Sequence, residues 1–121
     1  MREMVVAIDY DNTWTLDPAL WGAFCHLLRG RGHRVILCSQ RPPDHECSVE
    51  VCVAVDGQVD GVVLCSGKSK RQAAAEQGWA VDVWVDDFPV SVEEAMIFNT
   101  KNWEQLREER GVGETFTEEE D

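Results

Sequence analysis

Four short apolar runs, each rich in β-branched residues and each stopping at polar or charged side chains, limit what this chain can become. They are residues 4–8 (MVVAI), 34–38 (RVILC), 59–65 (VDGVVLC) and 80–85 (AVDVWV). A run that is apolar on successive positions suits a strand covered on both faces, as in a parallel sheet. Parallel neighbours cannot be joined by a tight turn and need a crossover of about a dozen residues, usually helical. The pattern therefore predicts an α/β domain, a three-layer arrangement of a parallel sheet with helices on both faces.

The intervals between the runs carry helix signals. Asp17 and Pro18 make an N-cap followed by proline at the first helical position. Leu20, Trp21, Phe24, Leu27 and Leu28 then recur at helical spacing as one apolar face, and Gly30 and Gly32 end the helix. Trp21 and Phe24 read as core, and His26 as a surface or hydrogen-bond-satisfied histidine. Over 44–56 the pattern is ambiguous: Val49, Val51, Val53 and Val55 alternate like a strand, while Cys47, Val51, Ala54 and Val55 fit one face of a helix. The need for a crossover favours a short irregular helix. An alanine-rich helix follows the third run and ends at Gly78. Ser91 and Glu94 have capping-box spacing, which places a helix start near Val92. Residues 102–110 look helical, with Trp103 and Leu106 as the apolar side. One domain over 1–110 is predicted, followed by an acidic, disordered tail over 111–121.

The chain has 11 basic and 23 acidic residues and a net charge of −12. That balance opposes nonspecific attraction to nucleic-acid backbones and to anionic membranes. No apolar stretch approaches bilayer-spanning length, and the N-terminus runs directly into the first strand with no signal peptide visible. The five cysteines are an odd number, and Cys25, Cys38 and Cys65 sit inside apolar segments as small hydrophobes, which points to a reduced, cytoplasmic protein. Asp44, His45, Cys47 and Cys52 lack the paired spacing of a zinc site.

Chemistry-bearing residues collect where the strands end. Asp9 and Asp11 leave the first strand at its carboxyl end, where ligands bind in open α/β sheets. Two neighbouring carboxylates repel unless a cation sits between them, and a hard divalent ion such as Mg²⁺ suits an oxygen-only donor set. Thr13 follows. Ser39 ends the second strand, where its hydroxyl and a loop amide can face an anion, although taken alone an ordinary turn before Pro42 and Pro43 is the better explanation. Lys68 and Lys70 lie at the start of the alanine-rich helix, a position that disfavours cations unless an anion is held nearby. Asp86 and Asp87 close the fourth strand.

In this order and spacing the clusters resemble the motifs of the haloacid dehalogenase-like (HAD) phosphohydrolase superfamily: IDYDNT, VILCSQR, GKSK and VWVDD match its four motifs. The resemblance spans residues 4–89. It implies a Rossmannoid sheet and a phosphomonoester hydrolase working through a phosphoaspartate. Asp9 would be the nucleophile and Asp11 the general acid and base. Mg²⁺ would be held by the Asp9 carboxylate, the Asp11 carbonyl and Asp86 or Asp87. Ser39 and Lys68 or Lys70 would bind phosphoryl oxygens, and Thr13 would support the loop. Lys68 is the favoured lysine, because it directly follows Gly67 at the strand's end. Family members usually carry glycine at the position of Asn12 and a small aliphatic residue at that of Trp14, so the Trp14 ring is expected to shape the substrate entrance. The intervals that hold cap domains in the superfamily are too short here for one, which makes this a small capless member of the bacterial and phage type. An open site of that kind suits a large phosphorylated substrate, or a small one (a nucleotide or a sugar phosphate) enclosed by an oligomer.

Two other readings compete. A response-regulator receiver also places acids, a hydroxyl and a lysine at strand ends, but its phosphoacceptor aspartate should end the third strand, which here ends in Leu64, Cys65 and Ser66. A catalytically idle metal-binding module would keep the fold, yet intact Asp9 and Asp11 argue against it.

Overall fold

The four apolar runs form the strands β1 (Val5–Ile8), β2 (Arg34–Ser39), β3 (Gly61–Leu64) and β4 (Val83–Val85), which pair in the order β3-β2-β1-β4. Every pairing is parallel. The computed structural model describes residues 2–95 and, beyond them, the backbone of one antiparallel pair, Gly111–Val112 against Glu114–Thr115. The helix expected over 102–110 and the remainder of the acidic tail lie outside the described residues.

Each crossover carries a helix. Between β1 and β2 a turn of 3-10 helix (Trp14–Leu16) leads into α1 (Pro18–Gly30), with Pro18 at its first position and the Asp17 carboxylate accepting from the Leu20 N–H. Its end is a Schellman closure: the N–H of Gly32 reaches the Arg29 carbonyl and that of His33 the Leu28 carbonyl, with Gly32 at φ +90°. The ambiguous stretch is helical, α2 (His45–Ala54), and Asp44 caps it by accepting from the Cys47 N–H at 2.9 Å. That cap gives Asp44 a structural task. After β3 comes α3 (Lys70–Glu76), capped by Ser69, and after β4 the short α4 (Val90–Glu93). The expected capping box does not form. α4 starts at Val90, and Ser91 lies inside it, donating its hydroxyl to the Phe88 carbonyl.

Strand alternation sorts the core into two layers. Val6, Ile8, Val35 and Leu37 face one side of the sheet with Trp14, Cys25, Val51 and Val55, against α1 and α2. Ala7, Ile36, Cys38 and Val63 face the other side with Cys65 and the α3 residues Ala73 and Ala74. Each fully buried Val, Ile or Leu contributes about 1.5–3 kcal/mol relative to exposure, so both faces are needed to hold four short strands. The α1 contact face is Trp21, Phe24, Cys25 and Leu28, with the Trp21 and Phe24 rings edge to face at 5.8 Å. Leu20 and Leu27, expected on that face, are exposed, because the helix turns its Cys25 side to the sheet. His26 is exposed.

One topological fact positions the site. From β1 the chain steps outward through β2 to β3, then returns to the opposite side of β1 to form β4. A crevice opens at the carboxyl ends of two strands where the winding reverses in this way, here β1 and β4.

Candidate active site

Asp9 leaves β1 at this reversal point, and Asp86 and Asp87 leave β4 beside it. The three residues each place a carboxylate oxygen within 4.8 Å of the others; Asp9 is buried, Asp86 half-buried and Asp87 exposed. Lys70, at the first position of α3, projects between two of them. Its Nζ is 2.7 Å from Asp9 Oδ1 and 2.5 Å from Asp86 Oδ2, and the residue is only 2% exposed. Asp86 Oδ1 also accepts from the Phe88 N–H at 2.8 Å, which fixes that carboxylate. The Thr13 hydroxyl stands between the two strand ends, 3.4 Å from Asp9 Oδ2 and 3.5 Å from Asp87 Oδ1.

Charge in this cluster is strained by burial. Desolvation pushes the Asp9 carboxyl up from 3.8 to about 7; Lys70 opposes the shift, and the Asp87 carboxyl adds to it. Asp86 is raised as well, by burial and then by the charge of Asp9. For Lys70, burial works against the ammonium, but Asp9 and Asp86 together outweigh it and the net shift is upward. Three carboxyl groups face one ammonium at these strand ends, and the acidic donors are all oxygens. A small hard divalent cation fits that donor set.

Asp11 stands apart from this cluster. Its carboxylate is held by Arg41, with Nε 3.0 Å from Oδ2 and Nη2 2.8 Å from Oδ1. The two carboxylates thus have separate partners in the structure, Lys70 for Asp9 and Arg41 for Asp11. Arg41 also reaches Glu50 of α2 at 2.8 Å and lies 5.2 Å over the Tyr10 ring. The Asp11 contact, with the Glu50 contact behind it, raises the Arg41 pKa further despite burial. Ser39 is buried at the end of β2, and its Oγ accepts the Arg41 N–H at 3.2 Å, which leaves the hydroxyl hydrogen to donate elsewhere.

Of the two lysines, the structure brings in Lys70 and turns Lys68 away. The Lys68 ammonium is exposed and paired with Glu76 at 2.6 Å. The reason lies in the loop: Ser66 at φ +50° and Gly67 at φ +92° reverse the chain, so Lys68 faces outward and Lys70, past the Ser69 cap, faces the sheet. The anions that offset Lys70 at the helix start are Asp9 and Asp86. Gln40 secures the turn. Its side-chain amide donates to the Lys68 carbonyl at 2.9 Å, and its oxygen accepts from the Gly67 N–H at 3.3 Å.

Trp14 does not shape an entrance. It is 1% exposed in the core layer under α1 and α2, and its indole N–H has no hydrogen-bond partner. Asn12, at φ +62°, supplies the left-handed turn, and its N–H donates to the Thr15 hydroxyl at 3.0 Å.

Arg41, Gln40, Tyr10 and Glu50 escaped the reading of the sequence. Arg41 was visible as a base at a strand end in a chain with few bases, two residues past Ser39, and an acidic pair at the neighbouring strand end was the cue to connect them. Glu50 had no such signal. Compared with known proteins, the chain matches no family model, no curated protein and no solved structure.

Proposed function

We propose that this chain is a Mg²⁺-dependent phosphomonoester hydrolase of the HAD-like kind, capless and acting through a phosphoaspartate on Asp9. The observation that carries the reading is the joining of Asp9, Asp86, Asp87 and Lys70 in one crevice at the winding reversal, with Asp11 beside it on a separate cation. Support for an open site comes from the crossovers after β1 and β2, where α1 and α2 are the only α-helices. The five cysteines are free thiols, which supports a reducing, cytoplasmic setting.

Asp9, Asp86 and Asp87 would hold the metal, which when bound offsets the charge of the nucleophile and the phosphoryl oxygens. Lys70 neutralises Asp9 on one side and donates toward a phosphoryl oxygen. Ser39 has a hydroxyl hydrogen to offer a second one, and Thr13 ties the β1 and β4 loops together. Asp9 attacks phosphorus as the bond to the leaving oxygen breaks. Asp11 gives its proton to that oxygen, then takes a proton from the water that attacks the phosphoaspartate, releasing phosphate and restoring Asp9.

The test is phosphate release from a panel of phosphomonoesters by wild-type protein with Mg²⁺, by wild-type protein in EDTA and by Asp9→Asn. Activity only in the first supports the reading. Equal activity in EDTA removes the metal, and turnover by Asp9→Asn removes the nucleophile.

A further inference from the structure

We propose that Arg41 is the positioning residue for Asp11, a clamp that aims the Asp11 carboxyl at the oxygen leaving phosphorus. The proposal rests on the hydrolase reading above. Asp11 lies in the loop after β1, where no strand pairing orients it, and a carboxyl that rotates freely spends little time in a productive geometry. Two parallel N–H bonds from Arg41, at 3.0 and 2.8 Å, remove that rotation. A guanidinium can do this because its donors form a rigid fork; a lysine ammonium, a point charge, cannot.

Arg41 is itself fixed from three directions. Its third donor meets Glu50 Oε1 at 2.8 Å, the Tyr10 ring lies beneath it, and its backbone N–H is bound by Ser39 Oγ. The Tyr10 hydroxyl donates to the other Glu50 oxygen at 3.4 Å. The clamp therefore joins the β1 loop, the end of β2 and α2, and the guanidinium cannot leave Asp11 without losing several contacts. For the transfer Asp11 must carry its proton on a lone pair that Arg41 leaves free; that proton passes to the leaving oxygen as the phosphorus–oxygen bond breaks, and the carboxylate that results is stabilised by the Arg41 charge. In the second half Asp11 receives the proton of the attacking water in the same place.

The experiment compares kcat/KM, which reports the steps up to phosphorylation of Asp9, for two leaving groups. p-Nitrophenyl phosphate leaves without a proton, whereas an alkyl phosphomonoester needs one. Arg41→Ala and Arg41→Lys are expected to lower kcat/KM at least about tenfold for the alkyl ester and less than about threefold for p-nitrophenyl phosphate. Glu50→Gln should shift the same ratio in the same direction by less. Equal losses on both substrates, or a change confined to KM, overturn the clamp while leaving the hydrolase reading in place. Wild-type protein inactive on both esters with Mg²⁺ overturns that reading and the clamp with it. Should Arg41→Ala fail to fold, Arg41→Lys, which keeps the charge and loses the fork, decides the matter on the same comparison.

Discussion

The Lys70 ammonium lies 2.7 Å from Asp9 Oδ1 and pairs on its other side with Asp86, so one residue of α3 ties the end of β1 to the end of β4. Those strands are adjacent in the sheet but about 75 residues apart in sequence, and the ion pairs bridge their carboxyl ends.

The two lysines should therefore separate cleanly. Lys70→Ala leaves two carboxylates without their buried partner, a change that costs about 3–5 kcal/mol for a buried pair, and on the proposed mechanism it removes a donor to the transferring group. It is expected to lower the melting temperature and to reduce kcat/KM at least about a hundredfold. Lys68→Ala, which removes an exposed pair with Glu76, should leave kcat/KM within about twofold of wild type. Steady-state kinetics and thermal melts on both variants check this, and the reverse ranking would return the role to Lys68.

A metal held as proposed would compete with a proton on Asp9. Because the Asp9 carboxyl is raised from 3.8 to about 7, the folded protein without metal binds a proton that the unfolded chain has already lost. Its contribution to stability is present at low pH and falls away as pH rises from about 4 through about 7. Mg²⁺ should accordingly raise the melting temperature more at about pH 8 than at about pH 5, relative to EDTA. A melting temperature indifferent to Mg²⁺ at both pH values would contradict the site.

Trp14 gives a test of core against entrance. As a core residue 1% exposed, it should cost about 3–5 kcal/mol when replaced by alanine. Trp14→Phe should fold, with a lower melting temperature and an unchanged order of preference across the substrate panel. A broadened panel at unchanged stability would restore the entrance role.

Asn12 isolates the backbone. At φ +62° an alanine is strained, so Asn12→Ala should destabilise by about 1 kcal/mol, while Asn12→Gly should be close to neutral. Chemical denaturation of the three proteins measures it.

The strands and the acidic clusters were legible because both are local signals: β-branched runs report burial on two faces, and Asp9, Asp86 and Asp87 stand directly at strand ends. The start of α1 was legible because Asp17 caps it ahead of Pro18, whereas α2 was inferred from the need for a crossover and its Asp44 cap was missed; the start of α4 was hidden because Pro89, which precedes it, offers no side-chain cap. The choice between Lys68 and Lys70 failed for a physical reason. Spacing does not reveal the two positive φ angles at Ser66 and Gly67 that rotate one lysine out and the next but one in. The Arg41 partnership with Asp11 and Glu50 was hidden because it joins three elements far apart in sequence. Trp14 misled because a large ring beside a site reads as part of it, whereas the turn after Asn12 sends it into the core.

The most direct test of phosphoryl transfer to Asp9 is to acid-quench the wild-type protein during turnover of a phosphomonoester with Mg²⁺ and to map the phosphorylated peptide by mass spectrometry. A phosphoryl group on Asp9, absent from Asp9→Asn, is the predicted result. A phosphoryl group on any other residue, or turnover with no phosphorylated protein at any quench time, would contradict it.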